Sequence, residues 1–375
     1  MKGNKYIVCF LVLQIFFFLP LLGCIRQNMA SDDEDVIFKD NSKTSPLKWF
    51  NKIPNNLVLI YDGGTHRSIK WDKEHFAPYV ADEVDGKDKW IFDGFLFLEI
   101  KDGKGYGFAS GYEKKAARKT EWEALLHHFF AKDNALDALN AQIEEVRQNK
   151  KITEKFEKRK VIISIPEPIK EQTDWGELNG EKLVFSNKEN RMAACKWYID
   201  LAEKLFIEYG FNNLDLVGFY WLAEEATHTR DLAKEVAGYL YDKKYDFYWI
   251  PYFNSDGYTQ WKELGFNVPY YQPNYFFNDE IPISRLQEAC YRAKEFKMNM
   301  EVEFDERVLK NNKNWGYRLN DYLDIFEKNG VFDSLYVAYY QGGDAFYKLS
   351  KSEEKEDKLL YNRLIKLIAK ERNKK

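Results

Sequence analysis

Residues 214–222 read LDLVGFYWL, an apolar stretch that ends just before the acids Glu224 and Glu225. Its aromatic and branched side chains favour a β-strand. A helical pattern follows, and from residue 57 onward the chain repeats this alternation of short apolar runs with helical segments. Eight runs of this character are predicted strands: 57–62, 90–99, 160–167, 214–222, 246–252, 268–274, 298–304 and 334–341.

The spacing of these strands predicts a parallel sheet. Their starts are 22 to 36 residues apart, with two longer intervals of 70 and 54 residues, whereas hairpins need far shorter connections. Eight strands that are each followed by a helix are typical of an α/β fold, the (β/α)8 TIM barrel. An open doubly wound sheet is the main alternative.

The segments between the strands have the periodicity of amphipathic helices. Apolar residues recur at steps of three and four over 190–209, 283–296, 317–328 and 356–372, and Gly210 follows the first of these as a C-cap signal. The long interval after the second strand holds another helical pattern over 121–148 with a break near Asp133. We therefore expect a helical insertion between strands 2 and 3.

The N-terminus has the pattern of an export signal. Lys2 and Lys5 precede an apolar run over 6–22, which suits a secretory signal and is short for a membrane span. The run ends in LLGC at 21–24, which resembles a bacterial lipobox. We expect cleavage before Cys24 and lipidation of that residue; an ordinary signal peptide or an N-terminal anchor helix is the alternative.

The following segment is polar and lacks apolar periodicity, which is typical of a flexible tether. Its acidic run at 31–35 resembles the surface-export signal of Bacteroidetes lipoproteins. The predicted organisation is a signal peptide over 1–23, a tether over 24–52 and one barrel domain over 53–375. Lipid at Cys24 would hold the protein to the membrane of the cell envelope, with the outer membrane as the expected location.

Composition and motifs exclude several classes of function. The chain has 375 residues, 56 Lys and Arg against 60 Asp and Glu, and a net charge of −4, so it has no basic excess for nucleic acid. Histidine and cysteine spacing matches no metal motif, and no phosphate-binding glycine loop occurs. The sequence predicts no metal, no cofactor and no nucleic-acid partner. Cys195 and Cys290 are expected to be buried free thiols.

The seventh strand carries the sharpest chemical signal, MNMEVEFD over 298–305. Apolar residues occupy one face, and Asn299, Glu301, Glu303 and Asp305 occupy the other. Because the apolar face of a barrel strand packs against the helices, the acids should point into the barrel or towards its mouth. A solvated acidic face on an edge strand or helix start is the alternative.

The fourth strand supplies a second acid, Glu224, although both Glu224 and Glu225 suit the start of a helix. Strands four and seven lie on opposite sides of an eight-stranded barrel, so acids at their ends can face each other across its mouth. A retaining glycosidase needs two carboxyl groups about 5–5.5 Å apart. By fold-level analogy with retaining barrel glycosidases, we assign Glu224 as acid/base and Glu303 as nucleophile, with Glu301 in reserve.

Other strand ends carry aromatic, amide and acidic side chains, which match the C–H faces and hydroxyl edges of sugars. Each residue alone is explained by loop or core packing, but their recurrence at strand ends predicts a substrate pocket. The predicted substrate contacts are Asp62, Glu167, Tyr220, Trp221, Trp249, Tyr252, Asn254, Gln272, Asn274, Tyr275, Glu301 and Gln341.

Four motifs together resemble the DUF4855 family of bacterial proteins. They are GFYW at 218–221, WIPYF at 249–253, GF at 265–266 followed by QPNY at 272–275, and EVEFD at 301–305. The likeness extends from about residue 57 to 341. Members of that family look like barrel glycosidases and are often found beside glycan-utilisation genes, so the resemblance implies the fold and a carbohydrate setting.

The sequence therefore predicts a lipid-anchored glycoside hydrolase that acts on an extracytoplasmic oligosaccharide or polysaccharide with two glutamates. The alternative is a glycan-binding lipoprotein that keeps the barrel without the chemistry. Linkage, sugar identity and oligomeric state leave no trace in the sequence.

Overall fold

The computed structural model describes residues 37–38 and 49–370. Eight parallel strands form a closed barrel, and they follow one another around the ring in chain order. This architecture confirms the TIM-barrel prediction. The barrel strands are β1 Asn56–Tyr61, β2 Gly94–Leu98, β3 Arg159–Ile165, β4 Leu214–Trp221, β5 Asp246–Trp249, β6 Val268–Tyr271, β7 Asn299–Glu303 and β8 Val337–Tyr340.

Helices cover the outside of the barrel. Two of them lie between β2 and β3, as predicted for the insertion, and the last one follows β8. The helices of seven or more residues are α1 Lys119–Phe129, α2 Ala135–Asn149, α3 Lys188–Tyr209, α4 Arg230–Lys243, α5 Ser284–Phe296, α6 Gly316–Lys328, α7 Ala345–Lys351 and α8 Lys355–Ala369. Gly210 caps α3 with a φ of 63°, as its position predicts.

Shorter elements decorate the connections. One-turn helices occur at Ala77–Val80 and Val331–Ser334, and 3-10 turns at Tyr258–Gln260 and Glu306–Val308. Three small two-stranded sheets pair Ala81–Val84 with Lys87–Trp90, Tyr106–Gly107 with Lys115–Ala116, and Gly176–Leu178 with Glu181–Leu183.

Two predicted strand starts were wrong. The second strand was expected from Trp90, but Trp90 ends an antiparallel hairpin and β2 begins at Gly94. Between them, the carboxylate of Asp93 accepts hydrogen bonds from the backbone amides of Asn55 and Asn56, at 2.8 Å each. Asn56 is the first residue of β1, and Asn55 directly precedes it. The eighth strand was expected from Ser334, which instead ends a helical turn before β8.

Side chains alternate between the interior of the barrel and the helix layer. An irregularity in the register of β4 between Leu216 and Gly218 resets this alternation. A Cβ atom on Gly218 would lie 2.3 Å from the carbonyl oxygen of Asp246, so only glycine fits this close approach of two strands. The fourth strand consequently directs Tyr220 inward and Trp221 outward.

The predicted tether reaches further than the structure allows. The backbone amides of Phe50 and Asn51 donate to the carboxylate of Asp246 at 3.0 Å each, and the Trp49 indole donates to the Asn267 carbonyl at 3.1 Å. The segment from 49 to 52 is therefore part of the barrel domain, and so are Ile37, which is buried, and Phe38, whose backbone amide donates to the Asn329 carbonyl at 3.0 Å.

Both cysteines of the helices are buried and free, Cys195 in α3 and Cys290 in α5, as predicted. In the part of the chain that the structure describes, no helix is long and apolar enough to span a membrane.

Candidate active site

A cavity of about 370 Å³ opens at the carboxyl ends of the barrel strands. Glu224 follows β4, Gln272 follows β6 and Tyr340 ends β8, so the wall is assembled from several strand ends, where barrel enzymes carry their chemistry. The cavity is lined by Leu59, Tyr61, Arg67, Ile100, Tyr112, Glu224, Tyr252, Gln272, Asn274, Phe277, Glu301, Tyr340 and Gly342.

A smaller cavity of about 160 Å³ adjoins the first. The two share three wall residues, Tyr112, Glu224 and Tyr252. Acidic side chains dominate the polar part of the smaller wall, where Glu167 and Glu225 join Glu224. Glu224 thus lies at the junction of two cavities.

Glu224 is half-buried on this shared wall. Burial raises the pKa of its carboxyl to about 7, and the negative charge of Glu303 raises it further in the same direction. A carboxyl group with this pKa keeps its proton close to neutral pH and can donate it to a leaving group.

Glu303, the last residue of β7, lies behind the wall and is fully buried. It pairs in register with Tyr340 of β8, a cavity residue, so both side chains occupy the interior face of the sheet. Its Oε2 atom accepts hydrogen bonds from the Tyr322 hydroxyl and, at 2.7 Å, from the backbone amide of Asn274. Burial raises its pKa to about 7, and these hydrogen bonds oppose the rise because they stabilise the anion.

Glu301 is the third carboxyl group, two residues earlier on the same face of β7, and it lines the larger cavity. It is 2% exposed, and its Oε1 atom has no hydrogen-bond partner within the described residues. Burial raises its pKa well above the usual value, and the charges of Glu303 and Glu224 add to this. Among residues 37–38 and 49–370, no Lys or Arg forms an ion pair with Glu224, Glu301 or Glu303.

An aromatic wall faces these acids. Tyr61 and Tyr340 meet edge to face with ring centroids 5.7 Å apart, and Phe277 contacts Tyr340 in the same geometry at 5.4 Å. All three line the larger cavity. Rings of this kind pack against the apolar face of a sugar.

Arg67 is a cavity residue that the sequence did not predict. Its guanidinium group forms a two-point ion pair with the fully buried Glu99, one contact being 2.8 Å, and lies 4.8 Å from the centre of the Tyr61 ring. Glu99 ends the predicted second strand, so an acid at a strand end was visible. Nothing in the sequence linked it to an arginine in the loop after β1.

Tyr112 is a second residue that was missed. It is 44% exposed and lies on a glycine-rich connection between β2 and α1. The charge of Glu224 raises its pKa, followed by burial. An exposed aromatic ring in a loop carries no sequence pattern that would mark it as a wall between two cavities.

Several predicted contacts do meet at the cavities. Tyr252, Gln272, Asn274 and Glu301 line the larger one. Glu167 lines the smaller one, where its carboxylate accepts from the amide and hydroxyl of Ser110 at 2.7 and 2.8 Å. Tyr220 is buried beside Glu224 and Glu301, whose charges raise its pKa in addition to burial.

Two predicted polar contacts have structural partners instead of facing a cavity. Asp62 contacts His128 at 2.9 Å and accepts from the Asn134 amide at 3.1 Å. Gln341 is fully buried, and its Oε1 accepts from the Tyr79 hydroxyl at 3.0 Å. Both groups tie loops to the barrel rim, and neither belongs to the cavity walls.

Two predicted tryptophan contacts are core residues. The Trp221 indole donates to the Thr229 hydroxyl at 3.3 Å. The Trp249 indole donates to the Ala223 carbonyl at 2.8 Å, and its ring stacks on Phe266 with centroids 4.6 Å apart. Both face the helix layer, because they occupy the outward positions of their strands.

The remaining two predicted contacts also lie away from the cavity walls. Asn254 is exposed, and its side-chain oxygen accepts a hydrogen bond from Arg292. Tyr275 is buried, and its hydroxyl donates to Asp321 at 2.6 Å. The predicted lipidation site Cys24 lies outside the described residues.

No three His, Cys, Asp or Glu side chains in the described ranges are placed so that they could hold a metal ion together.

Comparisons with solved structures give distant matches. A variant of the tryptophan synthase alpha-subunit from Pyrococcus furiosus is 10% identical with a TM-score of 0.35, covering 84% of this chain and 96% of that one. The carboxyl transferase domain of Rhizobium etli pyruvate carboxylase is 8% identical with a TM-score of 0.37, covering 95% and 55%. A GH5-4 broad specificity endoglucanase from an uncultured bacterium is 11% identical with a TM-score of 0.33, covering 74% and 81%.

Because the sequence identities and TM-scores are this low, the matches indicate neither a substrate nor a reaction for this chain. No curated protein matches the chain. A family model does match, over residues 56–366, which span the whole barrel from β1 into α8. The chain belongs to the family described as domain of unknown function DUF4855.

Proposed function

We propose that the protein is a glycoside hydrolase in which Glu224 is the acid/base and Glu303 the nucleophile. The observation that carries this proposal is that Glu224, after β4, and Glu301, on β7, line one cavity while Glu303 is buried behind its wall, and no Lys or Arg of the described chain forms an ion pair with any of the three. Unpaired buried carboxyl groups are costly, so their retention in one place indicates chemistry.

The surroundings of the two glutamates separate their roles. Glu303 accepts hydrogen bonds from Tyr322 and Asn274, which favour its ionised form. Within the described residues Glu224 accepts no such hydrogen bond, and the charge of Glu303 favours its protonated form. A carboxylate beside a carboxylic acid is the pair that glycoside cleavage requires.

The two cavities suggest where the bond is cut. Glu224 lies on the wall common to both, so a sugar in each cavity would place the connecting oxygen beside the proposed acid. The larger cavity, with its Tyr61, Tyr340 and Phe277 rings, would hold the sugar that is transferred. The smaller cavity would hold the leaving sugar.

We further propose that lipid at Cys24 anchors the enzyme in the cell envelope, with its substrate outside the cytoplasm. The LLGC motif at 21–24 supports this. Metabolic labelling with an alkyne fatty acid tests it, because wild-type protein should incorporate label and the Cys24→Ser variant should not.

The test of hydrolysis is a screen of purified protein against aryl glycosides and natural oligosaccharides. Glu224→Gln and Glu303→Gln are each expected to lower kcat by about 10²- to 10⁴-fold on any substrate that is cleaved. Glu181→Gln is the matched control, because Glu181 is exposed on a hairpin away from both cavities. Full turnover in both test variants would refute the assignment.

A second candidate function has one observation in its favour. Glu303 has no exposed surface and does not line the cavity, which suits a glycan-binding protein without turnover. In that case oligosaccharides would bind to wild type and to Glu303→Gln with equal affinity, and no product would form from any bound ligand.

A further inference from the structure

The proposed reaction assigns roles to Glu224 and Glu303 and leaves Glu301, which lines the larger cavity, without a role. Glu301 is 2% exposed, lines the cavity, and has an Oε1 atom without a hydrogen-bond partner within the described residues. An unpartnered buried acceptor is destabilising, and a ligand that donates hydrogen bonds would satisfy it.

The charges of the cavity walls point to the kind of donor. The single strong base on the larger wall, Arg67, is already bound at two points by Glu99. The walls of the two cavities together hold Glu224, Glu301, Glu167 and Glu225, and no Lys or Arg lines the smaller cavity. His228 is its basic residue, and it is exposed. The cleft therefore favours a cationic ligand.

We propose that the substrate is a glycan built from amino sugars with free amino groups, and that Glu301 accepts the ammonium group of the sugar in the larger cavity. This inference rests on the proposed function, since that function places a sugar there. Burial raises the pKa of Glu301, and an ammonium group, which carries one positive charge and three hydrogen-bond donors, would oppose that rise by stabilising the ionised carboxylate.

The smaller cavity is prepared for a second amino sugar. Ser110 fixes the Glu167 carboxylate with two hydrogen bonds of 2.7 and 2.8 Å, and the Tyr252 hydroxyl donates to Glu225 at 2.8 Å. Acids that are held in position before the ligand arrives lose little conformational entropy when it binds. The arrangement favours a chain of amino sugars over a single one.

Other ligands fit these walls less well. Uronic acids and sulfated sugars would bring negative charge to walls that already carry uncompensated acids. An N-acetyl group is neutral and offers one amide donor in place of a charge. A bare metal ion needs converging ligands, and no three side chains of the described chain provide them.

The experiment measures binding by calorimetry in a Glu224→Gln background, which removes the proposed acid and preserves the ligand. The probes are fully de-N-acetylated glucosamine and galactosamine oligosaccharides, each paired with its fully N-acetylated counterpart. Glu301→Gln is added in one protein and Glu181→Gln in the control protein. Thermal melting of each protein verifies folding.

At least one free-amine series is expected to bind about 10- to 100-fold more tightly than its N-acetylated counterpart, because a charge-assisted hydrogen bond contributes this factor. Glu301→Gln should reduce that ratio at least several-fold, and Glu181→Gln should leave it unchanged. Equal or tighter binding of the N-acetylated series, or an unchanged ratio in Glu301→Gln, would overturn the inference.

The two proposals fail separately. Turnover of neutral glycans by wild type, with no preference for free amines, would retain the hydrolase and overturn the amino-sugar assignment. Selective binding of free-amine oligosaccharides without turnover by wild type would support Glu301 as their receptor and contradict hydrolysis.

Discussion

Three glutamates, two on the wall of the larger cavity and one behind it, differ in what their carboxyl groups contact. Glu303 accepts hydrogen bonds at its Oε2 atom, Glu224 lies on a shared wall, and Glu301 accepts no hydrogen bond from the described residues; the Oε1 atoms of both Glu301 and Glu303 lack a partner in the described chain. The same residue type therefore has three different surroundings in one region of the barrel. Environment sets the role of each carboxyl group, as it does for acid and base pairs in general.

The pH dependence of turnover follows from two of these groups. Burial raises the pKa of both Glu224 and Glu303 to about 7. Activity needs Glu224 protonated, so it falls above that value, and needs Glu303 ionised, so it falls below it. The plot of kcat/KM against pH should be a narrow bell centred near neutrality, with both limbs belonging to the coupled pair. A flat profile between about pH 5 and pH 9 would contradict these roles.

Glu301 predicts an effect on stability. Its pKa is higher in the folded than in the unfolded chain, so the folded state binds more protons between the two values and its stability falls as pH rises through that window. Glu301→Gln removes this titration, so at pH 8 it should raise the free energy of unfolding by about 1–3 kcal/mol. Urea unfolding at pH 5 and pH 8 measures this, with Glu181→Gln as the unchanged reference. A loss of stability at pH 8 would contradict the raised pKa of Glu301.

Alternation explains why two neighbouring predicted contacts lie on opposite faces of one strand. Tyr220 and Trp221 are neighbours on β4, so one strand cannot direct both into the barrel. The inward Tyr220 lies beside the acids, and Trp221 packs outward against Phe247. The cavity position of Arg67 was not predictable for a different reason. Its contact with Glu99 joins two loops, and loop conformation leaves no periodic pattern in a sequence.

At the scale of single elements, Trp249 separates a packing role from a binding role. The strand β5 turns it towards Phe266 and away from the cavity. Trp249→Ala should lower the free energy of unfolding by about 3–5 kcal/mol, as large buried aromatic side chains do. Chemical denaturation measures the change. Unchanged stability together with a raised KM would instead make Trp249 a substrate contact.

Which side chains point into the barrel was predictable for β7, because polar and apolar residues alternate along the whole of that strand. It was not predictable at β4, where the irregularity at Leu216 and Gly218 shifts the alternation by one residue. Such a bulge depends on the close approach to Asp246 of the neighbouring strand, which is a contact in space.

At the scale of the whole molecule, the spacing of eight strands was enough to predict the barrel, because parallel neighbours need long crossover connections. The N-terminal boundary was not predictable from composition. Residues 49–52 are polar and aromatic like the tether before them, yet their backbone amides bind a buried carboxylate at the amino-terminal end of β5. Local composition does not reveal such a long-range hydrogen bond.

This boundary can be tested by truncation. A chain that begins at residue 53 lacks the amide donors of Phe50 and Asn51, which leaves the buried Asp246 with fewer partners. Its free energy of unfolding should be about 1–3 kcal/mol lower than that of a chain beginning at residue 49. Equal unfolding midpoints in urea would assign residues 49–52 to the tether after all.

The most direct test of the glutamate pair is the mass of a trapped intermediate. In Glu224→Gln, an aryl glycoside with a good leaving group can still react with the nucleophile, while the second step lacks its general base and slows. Intact mass spectrometry during turnover should show the protein plus one glycosyl unit, and peptide mapping should place that unit on Glu303. An adduct on Glu301, or turnover with inversion and no adduct, would contradict the account.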